Sequence, residues 1–134
     1  MNYYLFIPGI IMYVMTAVSI TGGYHRLFSH RAYRANKIVK LFYLIFGAAA
    51  FQETVLKWAT DHRRHHHKVD SDEDPYSINK GFFYAHIGWI FLNEEEQYKD
   101  KYEKDLLNDP LVMWQFRNYI LIGSLVGFVL PLAI

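Results

Sequence analysis

Apolar residues gather at the two ends of the chain, and polar residues fill its middle. Residues 1–24 are uncharged and mostly apolar. As a helix rising 1.5 Å per residue they reach about 36 Å, enough to cross a hydrocarbon core of about 30 Å. A secretory signal fits poorly. No basic segment leads the run, the apolar stretch is too long, and it passes into histidines instead of a small-residue cleavage site. The pattern predicts a transmembrane helix. The stretch Asn118–Ile134 is also uncharged, and its 17 residues reach the lower edge of a full span. It reads as a membrane helix cut within its length.

A third apolar run, Leu41–Phe51, makes about 17 Å of helix, too little to cross. Lys37 and Lys40 precede it, and Glu53 and Lys57 follow. A helix lying in the membrane interface, one packed against protein, and an ordinary core helix all fit it. The segment Asp70–Pro75 (DSDEDP) predicts a solvated acidic turn. Residues Glu94–Asp105 alternate in sign at helical spacing and predict a solvent-exposed helix. The expected fold is therefore all-α: multi-pass membrane helices with a helical cytosolic cap that carries the histidines.

Charge sharpens this picture. All fourteen basic and thirteen acidic residues lie between Arg26 and Arg117. A soluble domain would spread them over every element. An aromatic content of 18% excludes a disordered chain. A net charge of +1 argues against nucleic acid as a partner. Zero cysteines exclude a disulfide scaffold and thiolate metal sites. Several basic residues between Arg26 and Lys40 flank the end of the first helix, which places the charged middle in the cytoplasm.

The candidate chemistry is histidine. Six of the seven histidines fall between positions 25 and 67. His25 and His30 stand where the first membrane helix ends. On a straight α-helix they are about 140° apart, so they converge only if the helix ends or bends between them. His62, His65 and His66 fall at about 0°, 300° and 40°, within one arc, whereas His67 lies near 140° and off that face. Neutral imidazole suits zinc, copper, iron and nickel. Groups of this kind at a membrane boundary are costly and point to function. Zinc sites close with four ligands. Five histidines suggest two metals, and hence redox-active iron. No H-E-x-x-H is present, which argues against a metalloprotease.

The words GGYHRLFSHRAY, FQETVLKWATDHRRHHHK and GFFYAHIGW resemble the membrane fatty acyl desaturases of the stearoyl-CoA desaturase type. The likeness runs from about Thr16 to the C-terminus and rests on HxxxxH followed by HxxHH. It implies a non-haem di-iron oxidoreductase of lipid metabolism that uses O2 to insert a cis double bond, usually at Δ9, into a saturated acyl-CoA or acyl-lipid chain. It implies two iron ions as cofactor and His25, His30, His62, His65 and His66 among the iron ligands. Gln52 and Trp58 match residues lining the bend of the acyl tunnel. Asp61 is retained where acyl-CoA members hold their carrier, and its place just before His62 suggests a hydrogen bond to a ligand or to the substrate head group. His86 matches a position that is not a ligand. The resemblance further implies an electron donor such as cytochrome b5 or ferredoxin. It implies a multi-pass membrane location with the histidine boxes on the cytoplasmic side, in the endoplasmic reticulum of a eukaryote or the cytoplasmic membrane of a bacterium.

Departures from the family pattern qualify these expectations. Residues 1–134 match a partial desaturase domain that lacks the preceding membrane helix and the final histidine box, so only five of the nine expected histidine ligands are present. Where acyl-CoA members hold their carrier, this chain has Glu53, Thr60, Asn93 and Glu94. Carboxylates beside phosphates are unfavourable, so acyl-lipid or acyl-carrier-protein substrates enter the expectation. Two other readings stay open: a di-iron membrane fatty acid hydroxylase, and a non-catalytic metal-binding membrane fragment.

Overall fold

The structure, a computed structural model, describes residues 3–89 and 104–133. Among the described residues every regular element is helical. The expected helix over Glu94–Asp105 lies almost wholly outside them.

Helix α1 (Tyr3–Val18) continues without a break into a wider helical segment, Ser19–Ser29. The stretch Phe6–Ser29 has 24 residues, long and apolar enough to span a membrane. Its polar side chains are satisfied within the helix. Thr16, Ser19 and Thr21 donate to the carbonyls of Met12, Met15 and Ala17, as a hydroxyl in an apolar setting must. Phe6, Ile7, Ile10, Ile11, Tyr13 and Val14 are exposed along α1, an outer surface suited to lipid.

Helix α2 (Lys37–Ala49) starts at Asn36, whose side chain accepts from the Val39 N–H at 3.0 Å. It packs against the wide segment and against the later helix Pro110–Ser124. Of the three readings open for the Leu41–Phe51 run, the structure selects a helix packed against protein. Close approach is possible because Gly47 faces Tyr24, and a Cβ at Gly47 would overlap the Tyr24 ring.

Helix α3 (Val55–Lys68) is capped by Thr54, which accepts from the Lys57 N–H at 3.2 Å. Its first turns bury Val55, Leu56 and Ala59, and its last turn is basic, which complements the negative end of the helix dipole. A short turn, α4 (Lys104–Leu107), precedes α5 (Pro110–Ser124). Asp109 caps α5 by accepting from the Leu111 N–H at 3.0 Å, and Pro110 fills the first helical position, where no N–H is needed. The 23-residue stretch Pro110–Leu132 is the second one able to span a membrane.

The core joins these pieces. Tyr24, Leu27 and Phe28 meet Leu44, the three apolar residues of α3, Leu106 and Val112. At its centre lies Gln115, fully buried. Its Oε1 accepts from the Val55 N–H at 3.2 Å, and its amide donates to the Tyr24 hydroxyl at 2.9 Å. One side chain therefore ties α5 both to the start of α3 and to the residue preceding His25. A buried amide left unpaired would be costly, so this pairing also fixes the registry of the three elements.

Candidate metal centre

The spacing of His25 and His30 is resolved by the width of the helix. The helix neither ends nor bends between them, as the sequence suggested; it widens. The His30 N–H bonds the His25 carbonyl at 3.0 Å, and the Ser29 hydroxyl bonds the Tyr24 carbonyl at 2.7 Å. This five-residue closure stacks residue i+5 over residue i. The two imidazole rings sit edge to face with centroids 4.6 Å apart, and their Nε2 atoms are 3.0 Å apart.

Helix α3 approaches from the other side with ordinary α periodicity. His62 Nε2 lies 3.1 Å from His30 Nε2 and 3.1 Å from His66 Nε2. The ligand atoms of His25, His30 and His62 all lie within 4.8 Å of one another. His66 joins through His62, and its ring centroid is 4.9 Å from that of His30. His65 stands apart from this group: its Nδ1 is bonded to Asp74 at 2.9 Å, and its ring centroid is 5.7 Å from that of His66. His67 is exposed on the far face. His86 is exposed as well and donates to the Phe82 carbonyl on its own helical turn.

Convergence of three ring nitrogens is unfavourable unless protons or a cation lie between them. Protonation is disfavoured here. Burial first, then the neighbouring His25, His66, His30 and His65, push the His62 pKa down to about 4. Burial, then His25, His66 and Arg63, lower that of His30. Neutral rings present lone pairs. An ion with imidazole nitrogens at about 2.0–2.1 Å sets two ligands at right angles about 3 Å apart, which agrees with the 3.0 and 3.1 Å separations. The donor set fits iron, zinc or copper.

Other sequence-predicted residues take different places. Trp58, one turn before His62, stacks on its ring at 4.9 Å and 23° and meets Tyr24 and His25 edge-on. Gln52 is exposed in the turn between α2 and α3. Asp61 is buried, and its Oδ2 pairs with Lys57 at 2.9 Å. Glu53 is exposed, Thr60 is buried, and Asn93 and Glu94 lie outside the described residues.

The carboxylate set against a histidine is Asp74, in the segment expected to be a solvated turn. That expectation holds for Asp70–Glu73, which are exposed, and fails at Asp74, which has 0% exposure, and at Pro75, which is buried. The loop folds back because Asp74 collects donors. The N–H groups of Asp70 and Tyr76 bond its carboxylate, each at 2.9 Å. Burial opposes its ionisation, but the bonds from Tyr76, His65 and Asp70 outweigh it and hold the Asp74 pKa below the usual carboxylate range. Sequence reading counted acidic residues and had no signal for which one turned inward.

Arg63 stands between His62 and His65 on α3. Its side chain is 9% exposed. Its Nε donates to the Ser29 carbonyl at 3.1 Å, and a terminal nitrogen donates to the Phe28 carbonyl. It also binds Asp105 through both oxygens, at 2.7 and 3.0 Å, while Arg31 pairs with the same carboxylate at 2.7 Å. Despite partial burial, these arginines bring the Asp105 pKa down to about 2. Arg63 thus fastens the helix carrying His62 to the backbone immediately before His30.

The fatty acid desaturase family model matches residues 2–134. A probable acyl-CoA desaturase of Schizosaccharomyces pombe is 43% identical over 123 residues, covering 91% of this chain and 26% of the relative. Acyl-CoA desaturase 1 of Saccharomyces cerevisiae is 40% identical over 132 residues, covering 98% and 26%. The Delta(9)-fatty-acid desaturase fat-5 of Caenorhabditis elegans is 38% identical over 125 residues, covering 90% and 38%. The chain thus spans between about a quarter and two fifths of the length of these relatives. With a family match along almost its whole length, the chain belongs to the fatty acid desaturase family.

Proposed function

We propose that this chain carries the first two histidine groups of a di-iron membrane desaturase that places a cis double bond, at Δ9, in a saturated acyl-CoA or acyl-lipid chain. The observation that carries the reading is the convergence of His25, His30 and His62 from two separate helices. The names of the relatives, acyl-CoA and Delta(9) desaturases, support the substrate class and the bond position.

When bound, the iron pair would supply O2 activation and removal of hydrogen from an unactivated C–H bond, with electrons from a donor such as cytochrome b5 or ferredoxin. His25, His30, His62, His65 and His66 would hold it. The chain's own residues do the rest. Burial keeps His62 neutral and ready to bind. Trp58 covers one side of the His62 ring and offers an apolar wall for the acyl chain. Gln52 would line the bend of that path, and Asp61 would contact the substrate head group. The basic residues from Arg26 to Lys40 would keep the histidines on the cytoplasmic side of an endoplasmic reticulum or bacterial cytoplasmic membrane.

The test is metal counting and product analysis on the protein as it occurs in cells, supplied with saturated acyl substrate, reductant and O2. Iron and an alkene product are expected. A hydroxylated product or bound zinc would overturn the reading.

A further inference from the structure

We propose that Asp74 is a positioning residue that holds His65 in its Nδ1–H tautomer and so presents the Nε2 lone pair for coordination. The proposal rests on the metal reading above. Three observations carry it. Asp74 is buried at 0% exposure. Its Oδ1 lies 2.9 Å from His65 Nδ1. The same carboxylate is pinned from behind by the N–H groups of Asp70 and Tyr76, each at 2.9 Å. An ionised carboxylate only accepts hydrogen bonds, so the nitrogen facing it must be the donor. In a neutral ring the lone pair then belongs to Nε2.

The loop is built to keep this orientation. The N–H of Ser71 bonds the Lys68 carbonyl at 2.9 Å, and that of Asp74 bonds the Ser71 carbonyl at 3.1 Å. The Tyr76 ring lies 5.2 Å from that of His65 and is braced by Trp89 at 4.6 Å. The His65 ring is thus held at its nitrogen and along its side. Carboxylate support of this kind orients a ligating histidine and raises its basicity. His65, though on the histidine face of α3, bonds Asp74 and stands apart from the cluster formed by His25, His30, His62 and His66.

Imidazole nitrogen NMR on the 15N-labelled, metal-free full chain in detergent micelles tests the assignment without using activity. At alkaline pH His65 is expected as the Nδ1–H form. Asp74→Ala should shift it toward the Nε2–H form, and Asp74→Asn, which keeps an acceptor oxygen, should retain Nδ1–H. Cobalt titration should then show affinity falling about 10–100-fold in Asp74→Ala and less in Asp74→Asn. Circular dichroism checks that each variant is folded; if Asp74→Ala is not, the wild-type and Asp74→Asn tautomers decide. A wild-type His65 in the Nε2–H form, or a folded Asp74→Ala with an unchanged tautomer, would overturn the proposal. A wild-type chain with the expected tautomer that binds no cobalt would instead overturn the metal reading and leave the Asp74 assignment standing.

Discussion

The first membrane-capable helix and α3 deliver histidines to the same point by different geometries. The first is charge-free up to His25 and uses a five-residue spacing. The second is rich in basic residues and uses a four-residue spacing between His62 and His66. Each spacing is wrong for the other helix. In an α-helix His25 and His30 would diverge by about 140°, while the wide segment Ser19–Ser29 sets their Nε2 atoms 3.0 Å apart. Histidine spacing is therefore meaningful only together with the helix type that carries it. Wide helical turns are rare and frequently lie at functional sites, and here the local cost is offset by packing of Tyr24, Leu27 and Phe28 in the core.

The comparison breaks most completely at His62, where the two helices touch. His62→Ala removes the link to His30 and to His66 and the surface stacked on Trp58. Metal affinity should fall by more than the about 100-fold that losing a supporting partner can cost, as read by cobalt or iron titration. The next largest effect should come from Arg63, which joins the two geometries without being a ligand. Arg63→Met keeps the apolar stem but leaves the carbonyls of Phe28 and Ser29 without their charged donor. A loss of about 2 kcal/mol in unfolding free energy is expected, because Arg31 still partners Asp105. Thermal denaturation in micelles checks it.

Much of this was legible beforehand, for stated reasons. The membrane-capable helices follow from uncharged runs at the two ends, and the shared face of His62 and His66 follows from α periodicity, whereas His65, expected on the same arc, stands apart against Asp74. The widened segment did not follow, because no residue in SITGGYHRLFS marks five-residue closure; only the histidine spacing hinted that an ordinary helix would fail. Arg63 and Gln115 were missed because burial of a polar residue depends on partners distant in sequence, and Asp74 because nothing in DSDEDP marks which carboxylate of the loop collects the nearby donors. Gln115 reaches Tyr24 across the whole fold, and Arg63 reaches Asp105. Asp61 shows the converse. Its position beside His62 invited a role toward that ring, yet its carboxylate lies on the side of Lys57.

Acid provides a smaller and more general perturbation. His62 has a folded pKa of about 4, below the ordinary 6.5. The unfolded chain therefore binds more protons between these values, and stability falls as pH drops through that window. The ring is only partly buried, so solvent screening reduces the effect to about 1 kcal/mol. Metal-free chain should lose this increment between pH 6.5 and pH 4, read as a falling melting temperature. Bound metal should dissociate over the same direction of change, because only neutral imidazole coordinates.

The smallest effect should come from His67, and it bears on the arc argument more directly than the others. His67 follows His66 in sequence but lies about 100° further around α3, on the exposed face. If proximity in sequence governed ligation, His67→Asn would weaken metal binding as His66→Asn does. If helix phase governs it, His67→Asn should change stability by no more than about 0.5 kcal/mol and leave the metal titration unaltered. A matched pair of titrations on these two variants separates the alternatives. Equal losses in both would mean that α3 does not present its histidines by α periodicity, and the contrast with the five-residue spacing of the first helix would fail with it.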